Sequence, residues 1–187
     1  MKSLPACWFL PILALAMASC QSHQAEPLAA TVAATADKLA SLHGDNPPAP
    51  VREEANRLAL VAEREARALA ISYGVSGPAW FHNCLVNTGL KERGLCWQYM
   101  EDMFTRLTRE KPRHFDLHCV VRDDNSTFLE HNCVLLAAKG QPFVSGWVLD
   151  PWVKPGTLRL IRPCGEGRSW HEQPGYTQHL EQKFEKN

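Results

Sequence analysis

Cys96, His131 and Asp150 are of the types, and in the order, that thiol chemistry needs. Cys96 sits at the start of a predicted helix, Leu95 to about Arg109. The first amides of a helix have no internal partners, and the helix dipole is positive there. That setting favours thiolate over thiol, and the thiolate is the nucleophile. A neighbouring imidazole would complete the activation. Of the eight histidines, His131 lies in a predicted strand core, Glu130-His131-Asn132-Cys133-Val134-Leu135. Asp150 ends the next predicted strand, in Trp147-Val148-Leu149-Asp150-Pro151-Trp152. Two neighbouring antiparallel strands can set His131 beside Asp150. Packing the Cys96 helix over them would bring all three together. The carboxylate would hold the imidazole in one tautomer, and the imidazole would take the thiol proton.

Other readings of the same residues stay open. Cys96 shares a helical face with Met100 and Phe104, as a plain buried thiol would. His131 and Cys133 are two apart and share one strand face, with His118-Cys119 on the neighbouring strand; a zinc site could draw on these four. No C-x-x-C is present, and no metal or cofactor is expected. Asp150 before Pro151 could be a turn residue. The sequence holds seven cysteines. Setting aside Cys7 and Cys20 at the amino terminus leaves Cys84, Cys96, Cys119, Cys133 and Cys164, an odd set. Pairing Cys119 with Cys133 and Cys84 with Cys164 would leave Cys96 free; Cys84 could instead pair with Cys96.

The elements that must position these groups read as helices first and strands after. Glu26 to Leu42 is Ala-rich and helix-permissive, and His43 to Pro50 is a break. Val51 to Tyr73 is a strong amphipathic helix, and Trp80 to Leu90 a short one. In the Cys96 helix, Met100, Met103, Phe104 and Leu107 fall on the face of Cys96. Strands are predicted at Phe115–Val121, Leu129–Ala137, Val144–Asp150 and Thr157–Ile161, with a hairpin tip at Asp123–Ser126. This order predicts an α+β domain, N-terminal helices packed on a small antiparallel sheet. The tail after Pro163 is polar, with Trp170 and Tyr176 as anchors.

Twenty basic and twenty acidic side chains give a formal charge of zero, which excludes a globally basic nucleic-acid binder. The amino terminus reads as a targeting segment. Lys2 is positive, and Pro5 to Ala18 is apolar but too short to span a bilayer. Met17-Ala18-Ser19-Cys20 resembles a bacterial lipoprotein signal, which implies cleavage and acylation of Cys20. Ala16-Met17-Ala18 offers ordinary cleavage instead, giving a soluble periplasmic protein. The expected organisation is a signal over 1–19, a tether and weak helix over 20–50, the domain over 51–165 and a tail over 166–187.

Cys, then His, then Asp, on a helix start and two successive strands, resembles the transglutaminase-like branch of the papain-like cysteine enzymes. Gly94-Leu95-Cys96-Trp97, Glu130-His131-Asn132 and Leu149-Asp150-Pro151-Trp152 carry the resemblance. Arylamine acetyltransferases use the same order, and Arg93-Gly94-Leu95-Cys96 echoes their motif without its second glycine. The resemblance implies a papain-like or transglutaminase-like core. It makes Cys96 the nucleophile, His131 the base and Asp150 the orienting group. It also implies an oxyanion site from the Cys96 amide, with an upstream side chain among His82, Asn83 and Asn87, and Trp97 facing substrate. The expected function is an exported, lipid-anchored enzyme of the cell envelope that hydrolyses or transfers the acyl group of a peptide or other amide. The alternative is a non-catalytic envelope lipoprotein that uses the same fold as an interaction module.

Overall fold

The structure, a computed structural model, describes residues 26–122, 130–165 and 168–186. The signal segment, Cys20 and the hairpin tip at 123–126 lie outside the described residues. Two helices form the first layer. Helix α1 (Leu28–Ala40) packs along α2 (Ala49–Ser72) through small side chains, with Ala36, Ala55, Ala59 and Ala62 buried between larger Leu39 and Leu58. Small residues let the two backbones approach, and Thr35 and the buried Glu63 share a hydrogen bond of 2.8 Å in the contact. Helix α3 (Ala79–Asn87) is short, and α4 (Cys96–Thr108) follows it. On α4 the apolar spacing works as expected: Met100, Met103, Phe104 and Leu107 are buried. Each such side chain contributes about 1.5–3 kcal/mol on leaving water.

The strands β1 (Phe115–Arg122), β2 (His131–Ala138), β3 (Trp147–Asp150), β4 (Arg159–Ile161) and β7 (His171–Glu172) form one sheet, ordered β4-β3-β2-β1-β7. Every pairing in it is antiparallel. Between β4 and β7 the chain makes a separate hairpin, β5 (Cys164–Gly165) with β6 (Arg168–Ser169). The central strand β2 is buried along its whole length, because both faces of the sheet are covered. Cys119, Val134, Leu136 and Leu149 join the helices in the main core. Val120, Cys133, Leu135, Ala137, Val148 and Trp170 form a smaller core on the other face.

Three expectations change here. The third strand starts at Trp147 rather than Val144, because Phe143–Ser145 form a short 3-10 turn. Gly146 then passes so close to β2 that a Cβ would lie 2.5 Å from the Leu136 carbonyl oxygen. The tail carries a regular helix, α5 (Pro174–Glu185), which buries Leu180 and bonds the Tyr176 hydroxyl to Glu101 at 2.6 Å. The Cys119–Cys133 pairing is overturned. Val120 faces Cys133 in the register, so Cys119 and Cys133 point to opposite faces. Cys84, Cys96, Cys119, Cys133 and Cys164 are all free thiols.

One buried carboxylate ties the helical layer to the sheet. Glu54 of α2 accepts the Arg113 and His114 backbone amides at 2.8 and 3.0 Å and pairs with the His114 ring at 2.8 Å. Burial alone would raise its pKa; the bonds from His114 and Arg113 outweigh burial and hold it below the usual carboxylate range. Glu54→Ala would leave two amides unpaired, so urea unfolding should show a loss of about 2–4 kcal/mol at neutral pH. A depressed folded-state pKa stabilises above the unfolded pKa of about 4.3 and loses that contribution as pH falls through the folded value. The gap between wild type and Glu54→Ala should therefore narrow below about pH 4.3.

Candidate active site

The start of α4 is held from several sides. Leu95 is extended, and the helix begins at Cys96. Gln98 turns its side chain back, and its Oε1 accepts the Gly94 and Leu95 amides at 2.7 and 3.0 Å. This is the reciprocal half of a capping box. The amides of Cys96 and Trp97, one step further in, have no carbonyl a turn behind them. The Trp152 indole N–H donates to the Gly94 carbonyl at 3.2 Å, and His82 Nε2 bonds the Arg93 carbonyl at 2.9 Å. Arg93 pairs with Asp102 at 2.9 Å, and the Tyr73 hydroxyl bonds the same carboxylate. Gly94 has φ +132°, and a Cβ there would lie 2.2 Å from His82 Nε2, so only glycine fits.

Cys96 is 8 % exposed. Its sulfur lies 3.8 Å from the Glu130 carbonyl oxygen and 4.0 Å from Asn132 Nδ2, at the entry to β2. Burial alone would raise the thiol pKa. His131 and Asn132 outweigh burial and bring it below the ordinary cysteine value.

His131 and Asp150 meet at the end of the sheet. Val134 pairs with Leu149, so Asp150 lies beside Cys133, and His131 is two residues along the same face. His131 is 2 % exposed and Asp150 0 %. Asp150 Oδ1 accepts the Trp152 and Val153 amides at 3.0 and 3.1 Å, closing a turn. Its Oδ2 lies 3.2 Å from His131 Nε2, with Arg159 at 3.9 Å. The same Nε2 is 3.5 Å from Cys133 Sγ. Sharing between two neighbours bends the approach: Oδ2 sits at ion-pair distance without a well-aligned hydrogen bond. The opposite ring nitrogen, Nδ1, is buried and accepts or donates no aligned hydrogen bond among the described residues, while Cys96 and the ring act on each other electrostatically. Trp152 and Trp170 flank the ring at 4.8 and 5.4 Å.

Burial disfavours the imidazolium; Cys133, when ionised, and the neighbouring Asp150 and Cys96 act against burial and hold the His131 pKa well above its ordinary value, Asp150 and Cys96 doing so while Cys133 is still a thiol. Burial likewise works against the Asp150 carboxylate, and His131 with the two backbone amides reverses that and lowers its pKa. Cys133 goes the other way. Burial pushes it up to about 12, so it stays a thiol.

The remaining sequence candidates are scattered. His82 is buried and committed to the Arg93 carbonyl. Asn83 and Asn87 sit on α3, and neither is joined to Cys96 among the described residues. Trp97 is 40 % exposed beside the thiol. Of the zinc set, Cys119 lies in the helix-side core and His118 pairs with Glu172 at 2.7 Å. Instead His131, Cys133 and Asp150 place their donor atoms within 4.8 Å of one another. Sequence reasoning missed Gln98 and Asn132, and it set Cys133 beside His131 but grouped the pair with His118 and Cys119 rather than with Asp150. The signal for Asn132 was strand alternation: its neighbour His131 faces one side, so Asn132 must face the helices.

The rate of Cys96 alkylation by iodoacetamide against pH reads this arrangement. A lowered thiol pKa makes the rate rise below the ~8.5 of an ordinary cysteine. His131→Ala removes the largest favourable partner and should move that rise upward by one unit or more, a tenfold loss of rate at low pH.

Set against known proteins, the chain matches no family model, no curated protein and no solved structure.

Proposed function

We propose that this domain is a thiol-dependent acyl-transfer or amide-hydrolysing enzyme with a papain-like or transglutaminase-like core. One observation carries the reading. A thiol of lowered pKa opens a helix beside a buried histidine whose far nitrogen lies 3.2 Å from a buried carboxylate. Few structural roles need such a chain of groups, since each is costly to bury alone.

The chemistry follows from the atoms. His131 takes the Cys96 proton, and the sulfur attacks the carbonyl carbon of an amide. The carbonyl electron pair moves onto oxygen, where the Cys96 amide at the helix start can receive it. As the C–N bond breaks, the imidazolium returns its proton to the leaving amine, and a thioester remains. Water (hydrolysis) or a second amine (transfer) then attacks the thioester and gives its proton to His131. The acyl group leaves on the new oxygen or nitrogen, and the thiol is restored. Asp150 fixes the ring tautomer and balances the imidazolium throughout. Trp97, Trp80 and Phe81 expose apolar surface on the helices flanking the thiol, which suits peptide or acyl side chains. The acyl donor is a peptide or other amide, and the setting is the cell envelope, reached by an acylated Cys20.

A second reading rests on the His131–Cys133–Asp150 cluster. Imidazole, thiolate and carboxylate together suit zinc. Metal analysis of purified protein, with and without a chelator, separates the two readings: a bound ion lost together with stability favours the metal.

Acylation by p-nitrophenyl acetate tests the catalytic reading. Wild type should release a burst of about one p-nitrophenolate per chain and carry the acetyl group on Cys96. Cys96→Ala should show no burst, and Asp150→Asn should slow acylation by 10²-fold or more. A burst that survives in Cys96→Ala overturns the reading. Anchoring is checked separately by the intact mass of detergent-extracted protein. Cleavage before Cys20 with two or more acyl chains is expected, because one chain gives only marginal binding. An unlipidated chain starting at Ser19 contradicts it.

A further inference from the structure

We propose that Asn132 is the side-chain donor of the oxyanion site, its amide aimed at the reacting oxygen by Glu130 and Gln173. The inference rests on the acyl-transfer reading of Cys96. Asn132 is buried on the central strand β2 and faces the start of α4, opposite in direction to His131 and Cys133. Its Nδ2 is 4.0 Å from the Cys96 sulfur.

Which end of the amide faces the sulfur is decided by its neighbours. Asn132 Nδ2 lies 2.8 Å from Glu130 Oε1, and a carboxylate only accepts. The nitrogen must therefore lie on that side. On the other side Gln173 Nε2 donates to Asn132 Oδ1 at 3.3 Å. Gln173 is itself placed by its backbone amide, which donates to the Cys119 carbonyl at 2.8 Å. The amide has two N–H groups. Glu130 takes one, and the other is turned toward Cys96.

The reach suits an oxyanion better than a sulfur. A distance of 4.0 Å is long for a bond to the sulfur itself. An oxyanion donor must lie about 2.7–3.1 Å from the oxygen on which charge develops. In the tetrahedral adduct that oxygen is two bonds beyond the sulfur, so a donor standing back from the sulfur has room to meet it. The Cys96 amide supplies the second donor from the helix start. Among the described residues His82, Asn83 and Asn87 offer no comparable approach: His82 is occupied by the Arg93 carbonyl, and both asparagines lie on α3.

Two reactions of the same thiol separate this role from others. Iodoacetamide alkylation needs only the thiolate and forms no oxyanion, whereas acylation by p-nitrophenyl acetate passes through one. Asn132→Ala should slow acylation about 10²–10³-fold. Its alkylation rate at a pH where the thiol is fully ionised should stay at the wild-type value. Gln173→Ala, on a partly exposed segment, should slow acylation in the same direction by a smaller factor, and it decides the matter if Asn132→Ala fails a thermal-melting check. Equal acylation in wild type and Asn132→Ala, a matching fall in both reactions, or Gln173→Ala with unchanged acylation when it alone folds, overturns the role of Asn132 and leaves the enzyme reading standing. Wild type that is alkylated but never acylated on Cys96 removes the enzyme reading, and the Asn132 role with it.

Discussion

Asp150 is a carboxylate taken wholly out of water at the end of a short strand. An isolated buried charge costs several kcal/mol even after relaxation. Two backbone amides from Trp152 and Val153 offset part of that cost, and Arg159 reaches only to 3.9 Å. The remainder falls on His131, 3.2 Å away and itself almost fully buried. Each ion is tolerable only because of the other. The pairing holds the ring at one angle, keeps its far nitrogen free, and raises its readiness to stay protonated. A thiol that meets such a ring gives up its proton more easily, which is the direction found for Cys96.

The rest of the fold sets that thiol at the entry to β2, where His131 lowers its pKa. Helix α4 is seated by Met103, Phe104 and Leu107 against β2 and α2, which sets its long axis. Its first turn is set by a different group of residues: Gln98 from within, His82 from α3, Trp152 from the turn after β3, and the Arg93–Asp102 pair. Trp152 serves both halves of the site. Its backbone amide holds Asp150, its indole N–H holds the Gly94 carbonyl, and its ring flanks His131. A shift of the loop before Cys96 therefore cannot occur without disturbing the carboxylate, and the converse holds.

Much of this was legible in the residues, and the parts that were not have physical reasons. The α4 face read correctly because Met100, Met103, Phe104 and Leu107 repeat at helical spacing against a polar remainder. Cys96 at a helix start and Asp150 at a strand end were readable because both are local features. Helix α5 was missed because its apolar stripe is one side chain wide, Tyr176, Leu180 and Phe184, and only Leu180 of it is fully buried. The Cys119–Cys133 pairing failed on register, a long-range property: the two are neighbours across the hairpin but on opposite faces. The role of Asn132, and the grouping of Cys133 with Asp150, were hidden for the same reason. Alternation sets Asn132 opposite His131 and Cys133, but which of those faces the helices cover is a long-range property, because a strand buried on both sides carries no polar face to mark it. His82 looked like a group for substrate because it is polar and upstream. Its work is instead to hold a carbonyl across a loop, a contact that no spacing encodes.

The proposed pairing of a Cys96 thiolate with a His131 imidazolium is tested most directly by the ultraviolet absorbance of the thiolate, followed against pH in the folded protein. Wild type should show a thiolate that forms below the ~8.5 of an ordinary cysteine. That step should be absent in Cys96→Ser and displaced upward in His131→Ala. Cys119 and Cys133 should add nothing in that range, since burial raises both. A wild-type titration with no thiolate below ~8.5, or one unchanged by His131→Ala, would contradict the ion pair and the chemistry built on it.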